Sequence, residues 1–117
     1  MARPLTPEEE GWARFLISHG DTLEQPPGVT ERFAWLDLLD DALVTRPCPC
    51  GTCPSVELSG PDGVALTGRP AHVLYGGTRD LLVLLHIVGE RPAYLEGVPT
   101  SNHDVCTFPP VETAQRR

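Results

Sequence analysis

Residues 81–88 read Leu-Leu-Val-Leu-Leu-His-Ile-Val and open with the longest apolar run of the chain, Leu81 to Leu85. Alternate positions of a strand point to opposite faces, and here both sets are apolar. Leu81, Val83, Leu85 and Ile87 would lie on one side, with Leu82, Leu84 and Val88 on the other. A strand of that kind belongs inside a sheet covered on both faces. The spacing therefore predicts the most buried strand of the protein, and the run is too short to cross a bilayer.

Working outward, the neighbouring segments carry the signals of partner strands. Residues 71–75 pair with 80–88 across Gly76-Gly77-Thr78-Arg79, and Gly89-Glu90-Arg91-Pro92 turns the chain into 93–96. Upstream, residues 55–58 are strand-like, and Ser59-Gly60-Pro61-Asp62-Gly63 leads into a short segment at 64–66. His72 and His86 fall on adjacent predicted strands and would touch only if directly opposite; hydrogen-bonded core or edge histidines are the expected reading.

The first third of the chain has a helical period instead. Thr6 caps, Pro7 takes the first helical position and Glu9 completes a capping box, followed by Trp12, Phe15, Leu16 and His19 at helical spacing. That predicts a helix over about 7–19, with Glu8, Glu9 and Glu10 as its solvated start. A second helix is expected over about 30–43, with Trp35, Leu38, Leu39 and Ala42 on its core face, widened by Leu36 and Leu43. Asp37, Asp40 and Asp41 oppose its dipole, so burial must hold it. The whole, 1–117, reads as one α+β domain: two N-terminal helices packed on a small antiparallel β-meander of four to five strands spanning about 55–96. Residues 97–117 are expected to form an irregular tail.

Between helix and sheet stands the candidate for chemistry, a cysteine loop at 45–54 containing Pro-Cys-Pro-Cys-Gly-Thr-Cys-Pro. Cys50 and Cys53 form a C-x-x-C pair around a turn-forming glycine, which can direct both sulfurs at one zinc ion. Cys48 supplies a third thiol, and His103 or Cys106 closes the shell from the tail. Such a site has no water position and is structural. An iron–sulfur cluster would need the same four cysteines. A thiol–disulfide protein using Cys50 and Cys53 is the alternative. That chemistry wants a cysteine at a helix N-terminus, whereas this motif follows a helix, precedes a strand and has Pro54 directly after it. Reduced cysteines in a proline-stiffened corner are the third reading.

The formal charge of −7 disfavours nucleic acid and anionic lipid as partners and suits a basic protein. Nothing at the N-terminus resembles a signal peptide, and arginine without lysine points to a GC-rich bacterial genome, so a reducing cytoplasm is expected. Ser55 and Ser101 lack a nucleophile elbow, and Gly76-Gly77 lacks the lysine and helix of a phosphate loop. The expectation is thus a non-enzymatic, zinc-stabilised domain that binds a protein partner. An acidic inhibitor or immunity-type protein for a basic partner is the variant argued from charge alone.

Overall fold

The computed structural model describes residues 2–47, 53–101 and 105–114. Two helices, α1 (Pro7–His19) and α2 (Val29–Leu39), lie on one face of a six-stranded antiparallel sheet. Its strands are β1 (Arg3–Pro4), β2 (Leu43–Pro47), β3 (Val56–Ser59), β4 (His72–Gly77), β5 (Leu81–Val88) and β6 (Arg91–Pro99), in spatial order β1-β2-β3-β6-β5-β4. The architecture is α+β, with more strands than the sequence pattern suggests.

The connectivity also departs from a simple meander. β4, β5 and β6 follow one another, but β3 pairs with β6, so the chain between β3 and β4 crosses to the far edge. That connection contains Gly63 and Gly68 at φ +71° and +121°, conformations that glycine adopts without strain. Of the segment expected at 64–66, only Ala65 pairs, through an isolated bridge to Ser59. The β5–β6 hairpin turns on Gly89 and Glu90, both at positive φ (57° and 63°), as a tight right-twisted connection requires.

The second helix ends earlier than its apolar pattern implies. It stops at Leu39, and Leu43 and Val44 enter β2, where Val44 pairs with Leu58. Aspartates 37, 40 and 41 place negative charge at the negative pole of the helix, and the β-branched Val44-Thr45 favours the ladder that follows. Trp35, Leu39 and Ala42 are buried, while Leu36 and Leu38 are half-buried. Arg32 clamps the two helices by donating to the carbonyls of Ile17 (2.7 Å) and Gly20 (3.2 Å), which α1 leaves unpaired at its end.

Strand β5 is the centre of the core, but on one face only. Leu81, Val83, Leu85 and Ile87 are buried beneath Trp12, Leu16, Ile17, Trp35 and Leu39, whereas Leu82, Leu84, His86 and Val88 are half-buried on the opposite face. The expected cover on both sides is therefore half realised, because both helices pack on the same face. Phe15, also expected in the core, is half-buried and meets Trp12 edge to face at 5.9 Å. His72 pairs with Ile87 and contacts Trp35, while His86 pairs with Val73 and contacts Tyr94. The two histidines thus lie on opposite faces and do not meet.

Candidate functional site

Two glycines flank Val83 across the ladder, Gly76 on β4 and Gly97 on β6. A Cβ on Gly76 would stand 3.1 Å from Leu16 Cδ2, so its absence lets α1 sit close on the sheet. A Cβ on Gly97 would stand 2.6 Å from Pro54 Cγ, so the end of the cysteine loop fills the equivalent place on β6. The neighbouring residue locks it there. Ser55 is buried, and its hydroxyl accepts from the Gly97 N–H at 2.9 Å. The Cys53 thiol donates to the same hydroxyl at 3.3 Å. Cys53 is therefore tied through two residues to the middle of the sheet.

The tail arrives at the same place by a separate route. The Trp12 indole N–H donates to the Pro109 carbonyl at 2.7 Å, and Phe108 is buried in the core. Val111–Thr113 forms a short 3-10 turn against α1, with Val111 Cγ1 3.3 Å from where a Cβ on Gly11 would stand. The irregular tail expected from 97 begins later, because β6 continues to Pro99; beyond it the described residues form only the short 3-10 turn, and the segment after 105 is docked.

Cys53 and Cys106 consequently line one cavity of about 320 Å³, together with Arg3, Glu9, Ser55 and Phe108. Cys48, Cys50 and His103, the other expected ligands, lie outside the described residues. Among the described residues no three His, Cys, Asp or Glu side chains are grouped to hold a metal. The chain from Cys53 runs through Pro54 directly into β3, and β2 precedes the loop. Among the described residues no helix begins at Cys53, although Thr6, Glu8 and Glu9 at the start of α1 line the same cavity.

The cavity wall carries a charge pair whose signal in the sequence is no more than the capping box. Glu9, expected to be solvated, is buried and accepts two hydrogen bonds of 2.9 Å from Arg3 and one of 2.8 Å from the Thr6 N–H. Burial pushes the Glu9 carboxyl up. The bonds from Arg3 and Thr6 outweigh it and leave the group below its ordinary value. The hydrogen bond to Glu9 raises Arg3 in turn, against a smaller desolvation. The pair fixes the N-terminal strand over the cavity. Its sequence signal was present in the capping box, which places Glu9 back over the helix start, toward the strand that precedes it. Ser55 and Gly97 were not marked as site residues. Only the glycine inside a strand pattern hints at a close approach there.

No family model, curated protein or solved structure matches this chain. Among the described residues no helix is long and apolar enough to cross a membrane.

Proposed function

We propose that this chain is a small non-enzymatic domain that binds a protein partner and is stabilised by one zinc ion joining its cysteine loop to its C-terminal segment. One observation supports the reading above the others: Cys53 and Cys106, far apart in sequence, line the same cavity. Cys48 and Cys50 would complete the thiolates from the loop, with His103 as the other candidate from the tail. Thiolates gathered this closely repel one another, and a divalent cation removes that repulsion while pinning the two segments. The ion would be structural, with no position left for water or substrate.

Elemental analysis of the purified protein together with a thiol titration tests the reading. One zinc per chain is expected, with Cys106→Ser or Cys50→Ser lowering both the metal content and the melting temperature. Metal-free protein with a reversible Cys50–Cys53 disulfide would replace it with the thiol–disulfide reading. Stoichiometric iron in place of zinc would replace it with a cluster.

Charge favours a basic partner, the acidic-inhibitor variant of the same reading. Of the chain's nine basic residues, Arg3, Arg14, Arg32, Arg46 and Arg91 are held by carboxylates or carbonyls within the chain. The field presented outward is correspondingly acidic.

A further inference from the structure

The face of the sheet opposite the helices has a composition that an exposed antiparallel face normally avoids. Alternation ordinarily puts polar residues there. On β4, β5 and β6 it instead carries Val73 and Tyr75, then Leu82, Leu84, His86 and Val88, then Tyr94, Glu96 and Val98. The register places these side by side: Tyr75 opposite Leu84, Leu84 opposite Glu96, and Leu82 opposite Val98, which is 37% exposed. Two loops wall this floor. Thr22, Leu23 and Glu24 border a depression of about 230 Å³ over Tyr75 and Leu84. Leu66, Gly68 and Pro70 border another of about 220 Å³ over His86 and Tyr94. Val73 of the first depression pairs with His86 of the second, so the two lie side by side across the strands.

We propose that this face docks a protein partner that offers aliphatic side chains to Leu82, Leu84 and Tyr75 and a lysine or arginine to Glu96. The proposal rests on the partner-binding reading above and assigns its surface. The apolar floor supplies the burial, since aliphatic side chains taken from water favour the bound state in proportion to the area they bury. Glu96 supplies the sign. It is the one carboxylate on the floor formed by these three strands, and its described contact is His86 Nε2 at 3.0 Å. A cation beside it would make a charge-assisted bond shielded by the surrounding leucines. A second copy of this chain would do the reverse. Face-to-face packing of two copies over Leu84 would bury two Glu96 carboxylates in one apolar interface, and each chain adds a charge of −7. The rim is mixed: Glu24 stands in one wall and Glu57, paired with Arg46 at 3.3 Å, in the other, whose loop also carries the exposed Arg69, so the sign rests on Glu96.

The test uses the full chain and two synthetic peptides, Thr-Val-Thr-Arg-Thr-Val-Thr and the same peptide with glutamate for arginine. Each peptide shows two valines and one charge on a single face of an extended strand. Amide-resonance mapping should give shifts at Leu84, Tyr94 and Glu96 with the arginine peptide. Affinity should be about tenfold weaker with the glutamate peptide, and binding should weaken as salt is added. Glu96→Gln should reduce this preference and Leu84→Lys should abolish binding, with melting curves of both variants showing a folded chain. Equal binding of the two peptides, or none by either, overturns the proposal. A self-association broken by Leu84→Lys overturns it too, by making a second copy the occupant. Shifts confined to the exposed Val29 and Phe33 of α2 would overturn this surface while leaving partner binding intact. Failure of the surface with one zinc still bound per chain would leave the stabilised domain standing.

Discussion

Leu84 and Leu85 are adjacent, identical in chemistry and on opposite faces of one strand, so truncating each in turn measures how unequally the sheet is covered. Leu85 is wholly buried, and its cross-strand partners Leu74 and Leu95 are also at 0% exposure. Leu85→Ala removes three carbons, worth roughly 2.4 kcal/mol at about 0.8 each before any cavity term. Leucines fixed in flanking strands collapse poorly into the space, so the total should fall at about 3–4 kcal/mol, within the range of roughly 2–5 for such changes. Leu84 is half-buried and has no helix above it, so Leu84→Ala should cost about 1 kcal/mol. With an unfolding entropy of roughly 2.1 cal/mol/K per residue, this chain of 117 residues unfolds with about 0.25 kcal/mol/K. The expected losses in melting temperature are then about 12–16 °C for Leu85→Ala and about 4 °C for Leu84→Ala. Thermal melts followed by circular dichroism, checked against urea midpoints at constant slope, would read both. Equal losses within about 0.5 kcal/mol would refute the one-sided cover of β5, and a loss under about 1 kcal/mol at Leu85 would refute its place in the core.

Two further outcomes follow from the cavity. Gly97→Ala sets a methyl 2.6 Å from Pro54 Cγ. A proline ring yields little, so the change should cost about 1–3 kcal/mol and raise the reactivity of Cys53 toward a thiol reagent, read by mass mapping. Glu9 lies below its ordinary value of 4.5 in the folded chain, so its contribution is fully present above that value and is lost as pH falls through the folded one. Glu9→Gln should therefore lower stability near neutral pH and flatten the acid limb of the stability curve. An acid limb as steep as the parent's would mean the Arg3–Glu9 pair contributes nothing.

What could be read from the sequence depended on whether a signal was local. Thr6, Pro7 and Glu9 specify α1 within a few residues, and the structure begins the helix where that capping box says. The run 81–88 likewise specifies a paired strand, because two apolar faces are stable only inside a sheet. It cannot say what covers the second face, and among the described residues both helices pack on the first. The end of α2 was lost for a related reason. Leu36, Leu38, Leu39, Ala42 and Leu43 satisfy a helical face as far as 43, and only the pairing of Val44 with Leu58 decides that the chain has already become a strand.

The candidate site lies at the far end of that scale. Residue type alone suggested that the cysteine loop and the tail meet, with a metal as the reason. The structure supplies different reasons. Pro54 fits against Gly97, Ser55 bonds to β6, and Trp12 holds Pro109. The architecture that brings Cys53 and Cys106 to one cavity is thus built from packing and neutral hydrogen bonds. A zinc ion there would find two of its ligands already delivered to one wall. In a small zinc finger the metal must assemble the fold around itself. Here it would tighten a fold that the leucines of β5 and the two tryptophans already hold.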